Sequence, residues 1–365
     1  MSNAIGWTVT AISSVILLVL IVLKEIFRHQ NKHPLLCDIF AWIIVLIPPI
    51  YMTIIGMRWT WSESYLAGRS ATVAITYSPF HILAILVTAG GAIYYGYRAH
   101  HLDRKDDRHY LWGRLNKNDY TIFKLGVSLL LIEIFKQIFF LEIFTGYHWY
   151  GFPYQFCSVP LYVFLFGPFV KNKKIQRALY SFTGIFALVA GISVMIVGGD
   201  VFTSQISICV HTMMWHGLMV VAGVYTATYL GMGTKIKDYL SALIVLFCFM
   251  IGAQVLNIFF HLIDPNKTGP GNVDLFFISP YQGSRHMPIL GDIRFWLQER
   301  INLPLISGFI YTLVYMFAFS LGGIIVFGIQ FLFKLSAKKI REHRKVKQLS
   351  ENVLETEIIE NNIGK

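Results

Sequence analysis

Long, nearly continuous runs of apolar residues fill most of this 365-residue chain. A helix that crosses a membrane needs about 20 mostly apolar residues, and several stretches reach that length. They lie at residues 5–27, 36–57, 78–97, 120–143, 153–170, 176–197, 206–230, 237–262 and 304–333. Strands of a membrane barrel would instead alternate apolar and polar positions. The pattern predicts an all-α, polytopic membrane helix bundle of about nine transmembrane helices, in a single domain over residues 1–333.

The distribution of charge supports this class. Only 14% of the residues are charged, and the net charge is +11. In a soluble protein this balance would suggest nucleic-acid binding. Here Lys and Arg collect in every second loop, whereas residues 144–152 and 198–205 contain neither. By the positive-inside rule, we expect the N-terminus outside, the C-terminus in the cytosol, and a multi-pass protein of the cell membrane. Membrane lipids, rather than nucleic acid, are the expected partners.

Three of the segments outside the apolar stretches have distinctive compositions. The loop 98–119 mixes acidic and basic residues, which predicts a solvated, self-neutralising loop. The predicted outer loop 264–303 is long, and loops of this length are usually functional or disordered. Its aromatic residues favour a segment at the membrane interface. The tail 334–365 is basic near the membrane and acidic at its end, and we expect it to be cytosolic.

The four cysteines are too few for a disulfide framework. Cys157 falls in the stretch 153–170, where a helix that begins near Pro153 would place it about one turn inside. Cys157 and Cys209 are predicted at similar outer depth, which leaves a single disulfide between them open. A cysteine in a transmembrane helix more often packs as a small apolar side chain than acts as a nucleophile.

Ionisable residues within transmembrane helices are expensive and often functional. Glu133, Lys136 and Gln137 are spaced to share one helical face, and a buried ion pair that only locks packing is the alternative interpretation. His211 and His216 are five residues apart, so they do not share a face. That spacing disfavours the binding of one metal ion by both histidines, and neither a metal nor a cofactor is expected.

A third helix adds Gln254, Asn257 and His261 on one face. All these polar positions fall in the predicted outer half of the membrane. The predicted helices have almost no other polar positions in the inner half. Side chains that serve packing alone would scatter in depth. The clustering therefore predicts a shared polar cavity that opens to the outer leaflet and contains Cys157.

The region from about residue 120 to 325 resembles the YwaF family of bacterial integral membrane proteins. This family is grouped with an animal transmembrane acyltransferase that makes arachidonoyl ether phosphatidylethanolamine. The resemblance is carried by Glu133-Ile-Phe-Lys136, Pro153 to Cys157, the His211 and His216 helix, Asn257-Ile-Phe-Phe, and Gly291-Asp292. Many members have Pro-Leu-His-Leu-Cys where this chain has Pro-Tyr-Gln-Phe-Cys, so Gln155 stands at a histidine position.

The resemblance implies acyl transfer between phospholipids through a thioester on Cys157. His211 or His216 would take the thiol proton, and Glu133 would orient the imidazole. The expected lipid-contacting residues are Lys136, Gln137, Gln155, Asn257, Arg285 and His286. Two other functions stay open. A small-solute transporter or channel would need a continuous polar path, and a structural protein in cell-envelope assembly would use the polar residues only for packing.

Overall fold

The computed structural model describes most of the chain from residue 73 onward. The described residues are 12, 15, 16, 19–27, 36, 38–40, 42, 43, 46, 73–143, 147, 149–198, 201–233, 235–266, 269–282 and 289–363. Regular structure in them is helical, and the one β feature is an isolated bridge between Tyr110 and Leu115. The helices are α1 (Pro79–Tyr97), α2 (Lys117–Ile143), α3 (Val159–Phe166), α4 (Lys173–Phe182), α5 (Leu188–Val197), α6 (Ile206–Leu230), α7 (Ile236–Ile263), α8 (Leu290–Arg300) and α9 (Pro304–Ile363).

Five helical stretches in the described residues are long and apolar enough to cross a membrane. They are Pro79–Lys105, Lys173–Val197, Ile206–Leu230, Ile236–Ile263 and Pro304–Lys339. Helix α2 has the length but carries charged residues along it, and α3 is short. The all-α membrane helix bundle is confirmed. The number of nine spans and their orientation stay predictions, because about half of the stretch 5–27 and most of the stretch 36–57 lie outside the described residues. We call the end where α6 begins the outer end, after the predicted topology.

Helix α6 is the centre of the bundle and contacts α1, α2, α4 and α5. Small residues let the backbones approach closely, as is common between membrane helices. Gly126 of α2 lies against α3, where an added Cβ would stand 2.7 Å from the backbone carbon of Phe164. This close approach places the residues that precede α3 beside the outer half of α2.

Helix α3 begins later than predicted. The expected helix over 153–170 is replaced by a turn through residues 155–158, followed by α3 from Val159. Pro160 falls in the first turn of α3, where its missing N–H costs nothing. Cys157 therefore lies in the turn before the helix rather than one turn inside it. Cys157 and Cys209 are not joined to each other, so the disulfide left open between them is excluded.

The inner end contradicts two expectations. The loop 98–119 is not simply solvated, since Arg98 and Asp103 are 2% and 1% exposed. Arg98 donates two hydrogen bonds of 3.2 Å to the Asp103 carboxylate, which also accepts from Thr121 and Tyr225. Buried polar groups are thus not confined to the outer half. The loop folds inward because this carboxylate finds partners on α2 and α6.

Candidate functional site

The polar face of α2 forms the base of the candidate site. The Lys136 ammonium lies 2.7 Å from Oε1 of Glu133, and Gln137 donates to the same oxygen at 2.5 Å. Gln137 also donates to the carbonyl of Gly151 at 2.8 Å. The other oxygen of Glu133, Oε2, is buried and has no hydrogen-bond partner among the described residues. The predicted ion pair exists, but it engages only one of the two carboxylate oxygens.

Trp215 of α6 connects this face to Cys157 and His211. Its indole N–H donates to the Cys157 carbonyl at 2.8 Å, and its ring lies 6.0 Å from the Lys136 ammonium. The imidazole of His211 stacks on the same indole at 5.6 Å, with the two planes 24° apart. Sequence reasoning did not assign Trp215 to the site. The available signal was its position one helical turn after His211.

Cys157 is half-buried and packs against the apolar core. The side chain lies within electrostatic range of Lys136, Glu133 and Tyr315. Burial disfavours a thiolate here, and the nearby ammonium opposes that effect, because a positive charge favours a thiolate and a developing oxyanion. The Trp215 hydrogen bond holds the backbone of the turn that carries this sulfur.

The two histidines have different environments, as their spacing predicts. His211 is within electrostatic range of Lys136, and its Nε2 is buried with no hydrogen-bond partner among the described residues. His216 is held through Nδ1 by the carbonyl of Thr212 at 2.8 Å. Neither imidazole is hydrogen-bonded to Cys157 in the described residues. His211 is the histidine that the structure connects to the cysteine, through Trp215.

Gln155 and Asn257 hold the outer loop through their amide groups. Gln155 donates to the carbonyl of Asp274 at 3.0 Å and accepts from the N–H of Phe276 at 2.8 Å. Asn257 bonds both backbone groups of Leu275, at 3.1 and 2.8 Å. Both ends of each amide are therefore engaged, by Asp274 and Phe276 for Gln155 and by Leu275 for Asn257. These contacts show what the two amides do in the fold, and direct binding of a lipid by them stays a prediction.

A buried ion pair in the outer loop was missed by the sequence reasoning. Arg294 of α8 is 2% exposed and lies 2.8 Å from the Asp274 carboxylate. The guanidinium also donates to the carbonyls of Phe277, Ser279 and Gln282 and lies over the ring of Tyr311. Asp274 in turn accepts from the N–H of Ser279. The only sequence signal was two opposite charges, twenty residues apart, in a loop rich in aromatic residues.

The remaining predicted residues are placed as follows. Arg285 and His286 lie outside the described residues. Gln254 donates to Thr312 of α9 at 2.7 Å, and the ring of His261 stacks on Tyr281 at 3.7 Å. Within the part of the chain that the structure describes, no three His, Cys, Asp or Glu side chains are grouped so that they could hold a metal ion. The site therefore has a thiol, a cation and a half-used carboxylate as its chemical groups.

These contacts bring together four of the predicted site residues, Cys157, Glu133, Lys136 and Gln137, with His211 adjoining them. Such a set can activate a thiol, stabilise negative charge on a carbonyl oxygen and accept one proton.

Comparison with known proteins gives one match. No curated protein and no solved structure matches the chain. The model of the TMEM164 family matches residues 76–315, a region that runs from the start of α1 into α9 and contains every described residue of the candidate site. Because the match covers more than half of the chain, this protein belongs to the TMEM164 family, a family of membrane proteins.

Proposed function

We propose that this integral membrane protein transfers acyl groups between phospholipids through a thioester on Cys157. We also propose that the protein is related to the YwaF family and that it is a multi-pass protein of the cell membrane. The observation that carries the proposed acyl transfer is a half-buried thiol within electrostatic range of the Glu133–Lys136 pair, in which one Glu133 oxygen has no hydrogen-bond partner among the described residues. Packing alone gives no reason to bury a carboxylate oxygen without a hydrogen bond.

The reaction divides into two balanced steps. In the first, Glu133 or His211 accepts the thiol proton, and the thiolate attacks the ester carbonyl of a donor phospholipid. A C–S bond forms, the ester C–O bond breaks, and the leaving alkoxide takes the proton to give a lysophospholipid. In the second, the hydroxyl of an acceptor lysophospholipid attacks the thioester. A new C–O bond forms, the C–S bond breaks, and the hydroxyl proton returns to sulfur through the same base.

Three side chains support these steps from fixed positions. The Lys136 ammonium stabilises the oxyanion that develops in each attack, since preorganised charge in a dry site is effective there. Trp215 fixes the backbone of Cys157 and the plane of His211. Gln137 ties Glu133 to the carbonyl of Gly151, close in sequence to the cysteine turn.

Transport is disfavoured by the apolar layer between the two ends of the bundle. On α2, the buried residues between the Asp103 network and Glu133 include Leu125, Leu129 and Ile132, with Ser128 as a buried polar residue among them. On α6, Met219, Val220 and Val221 are buried between His216 and Tyr225. A polar path along these helices would have to cross this layer.

The direct test is chemical trapping of the thioester. Purified protein is incubated with phosphatidylcholine or phosphatidylethanolamine that carries a labelled acyl chain, and hydroxylamine-sensitive label is mapped by mass spectrometry. We expect label on Cys157 of the native protein and none on Cys157→Ala. The matched controls are Cys209→Ala and Cys248→Ala, which remove a buried and an exposed cysteine and should keep the label.

Label that persists in Cys157→Ala, or label that moves to Cys248, would show adventitious acylation and contradict the proposal. Lipid profiles of cells that carry Cys157→Ala give the second readout, where an unchanged acyl distribution would count equally against it.

A further inference from the structure

A group of cations lies at the inner end, on a platform of aromatic rings. The rings of Tyr110 and Tyr120 stack with their centroids 4.5 Å apart, and the Trp42 indole donates to the Tyr120 hydroxyl at 3.0 Å. The Lys117 ammonium lies 4.3 Å from the Tyr110 centroid and 6.0 Å from that of Tyr120. The Lys124 ammonium lies 4.5 Å from the Tyr120 centroid. The two lysines, two helical turns apart on α2, therefore share one ring.

Lys124 differs from its cationic neighbours in having no acidic partner. Lys117 lies 3.7 Å from Asp106, Arg98 bonds Asp103, and Lys24 lies 2.9 Å from Glu25. Lys124 is 7% exposed and makes no hydrogen bond or ion pair with any residue that the structure describes. The charges that act on it most strongly are the three cations Arg98, Lys117 and Lys24, against the single carboxylate of Asp38.

A second donor beside this group is also unused. The Nε–H of Arg98 is buried and has no hydrogen-bond partner among the described residues, although the Nη2 atom is bonded to Asp103. Buried guanidinium donors are normally satisfied. Among the described residues, an ammonium and a guanidinium N–H within electrostatic range of each other thus have no acceptor. This is the arrangement expected where an anion from outside the protein supplies the acceptor.

The depth of the group identifies the kind of anion. Lys117 is the first residue of α2, and Lys124 lies about 10 Å further along the helix axis, so the group lies where the helix enters the membrane. Basic pockets between transmembrane helices on the cytoplasmic side bind anionic lipid headgroups, and ammonium and guanidinium groups are strong phosphate donors. We propose that Lys124, together with Lys117 and Arg98, binds the phosphate of an anionic phospholipid of the inner leaflet.

The test compares stabilisation by lipid across charge variants of the full chain in detergent. Phosphatidylglycerol is added against phosphatidylcholine, and Tm is measured together with the number of lipids retained in native mass spectrometry. We expect phosphatidylglycerol to raise the Tm of the native protein and to remain bound as at least one lipid. Lys124→Met should lose at least half of that Tm increase and the retained lipid, whereas Lys124→Arg should keep both.

Two further outcomes make the test specific. Without added lipid, Lys124→Met should have a Tm equal to or above the native value, because the variant removes an uncompensated charge. The matched control is Lys237→Gln, which removes an exposed lysine from the same end and should keep the full lipid effect. Equal loss in Lys237→Gln, or full retention in Lys124→Met, overturns the proposal.

Inorganic phosphate at millimolar concentration distinguishes the source of the anion. If it reproduces the Tm increase and displaces phosphatidylglycerol, the site takes free phosphate and the lipid assignment is overturned. None of these measurements depends on Cys157, so this inference and the proposed acyl transfer fail independently.

Discussion

Two buried carboxylates, Asp103 at the inner end and Glu133 at the outer end, differ in how many of their oxygens are hydrogen-bonded. Asp103 accepts two hydrogen bonds from Arg98 and one each from Thr121 and Tyr225, so both of its oxygens are engaged. Glu133 accepts from Lys136 and Gln137 on Oε1, and its Oε2 has no hydrogen-bond partner in the part of the chain that the structure describes. The first arrangement joins elements of the bundle together, whereas the second keeps an acceptor available for a ligand or a proton.

The two carboxylates also differ in what their removal would expose. Losing the Asp103 side chain would leave the Arg98 guanidinium, which is 3% exposed, buried without its counter-ion. The Lys136 side chain is 14% exposed and lies near the ring of Trp215, so it is less dependent on Glu133. We therefore expect Asp103 to matter chiefly for stability and Glu133 chiefly for chemistry.

Asp103→Ala should have the largest effect, which is a loss of folding stability. Removing one partner of a buried ion pair typically costs about 3–5 kcal/mol, so this variant should unfold at a clearly lower denaturant concentration or fail to accumulate in the membrane. Denaturant unfolding in detergent, followed by tryptophan fluorescence, measures it. Asp107→Ala, an exposed carboxylate of the same loop, is the control and should change stability by less than about 0.5 kcal/mol.

The next largest effect is on the reaction, in Glu133→Gln. If Glu133 is the group that accepts the thiol proton, this variant should lower the rate of Cys157 acylation by about 10²–10⁴-fold, as loss of a positioned general base typically does; a smaller loss would assign the proton to His211. The double variant Glu133→Gln with Lys136→Met separates the two interpretations of the ion pair. If the pair only locked packing, this uncharged double variant would fold and acylate like the native protein; the proposed function requires it to fold but remain slow.

The spacing of residues on single helices was predicted well, and contacts between distant segments were not. Glu133 and Lys136 pair as their three-residue spacing predicts, and His211 and His216 occupy separate environments. Gln155 lies 119 residues from its partner Asp274, and Asp274 lies 20 residues from Arg294. Helical periodicity contains no information about such pairs, because a loop of that length can close in many ways.

Predictions from local sequence were also wrong where contacts with distant segments determined the structure. A loop of mixed charge such as 98–119 is usually solvated, but Asp103 finds Thr121 on α2 and Tyr225 on α6. Cys157 was expected inside a helix because an early proline favours a helix start. Pro160, seven residues after Pro153, provides the actual start of α3.

Asn257→Ala should have a smaller effect, on the stability of the outer loop that the Asn257 amide holds. The variant removes two hydrogen bonds to Leu275 and leaves buried backbone groups without partners, at about 1–3 kcal/mol. Amide hydrogen exchange in residues 274–279 should become faster, with little change on α2. Gln254→Ala is the matched control on the same helix, since Gln254 contacts α9 instead; if it accelerates exchange in the loop equally, the specific role of Asn257 is refuted.

The smallest expected effect is a pH-dependent one, at Asp106 in the inner loop. Partial burial acts to raise the pKa of this carboxyl, but hydrogen bonds from Arg108 and Tyr110 and the charge of Lys117 outweigh it, so the pKa lies well below its ordinary value. A lowered folded-state pKa means that the charged form stabilises the protein above the unfolded value of about 4 and that this contribution is lost as pH falls through the folded value. Asp106→Asn should therefore lower Tm at pH 7, and its difference from the native protein should shrink progressively below pH about 4. A difference that stayed constant across this range would mean that the amide fails for steric reasons, and that Asp106, unlike Asp103, contributes no charge-dependent stability to the inner end.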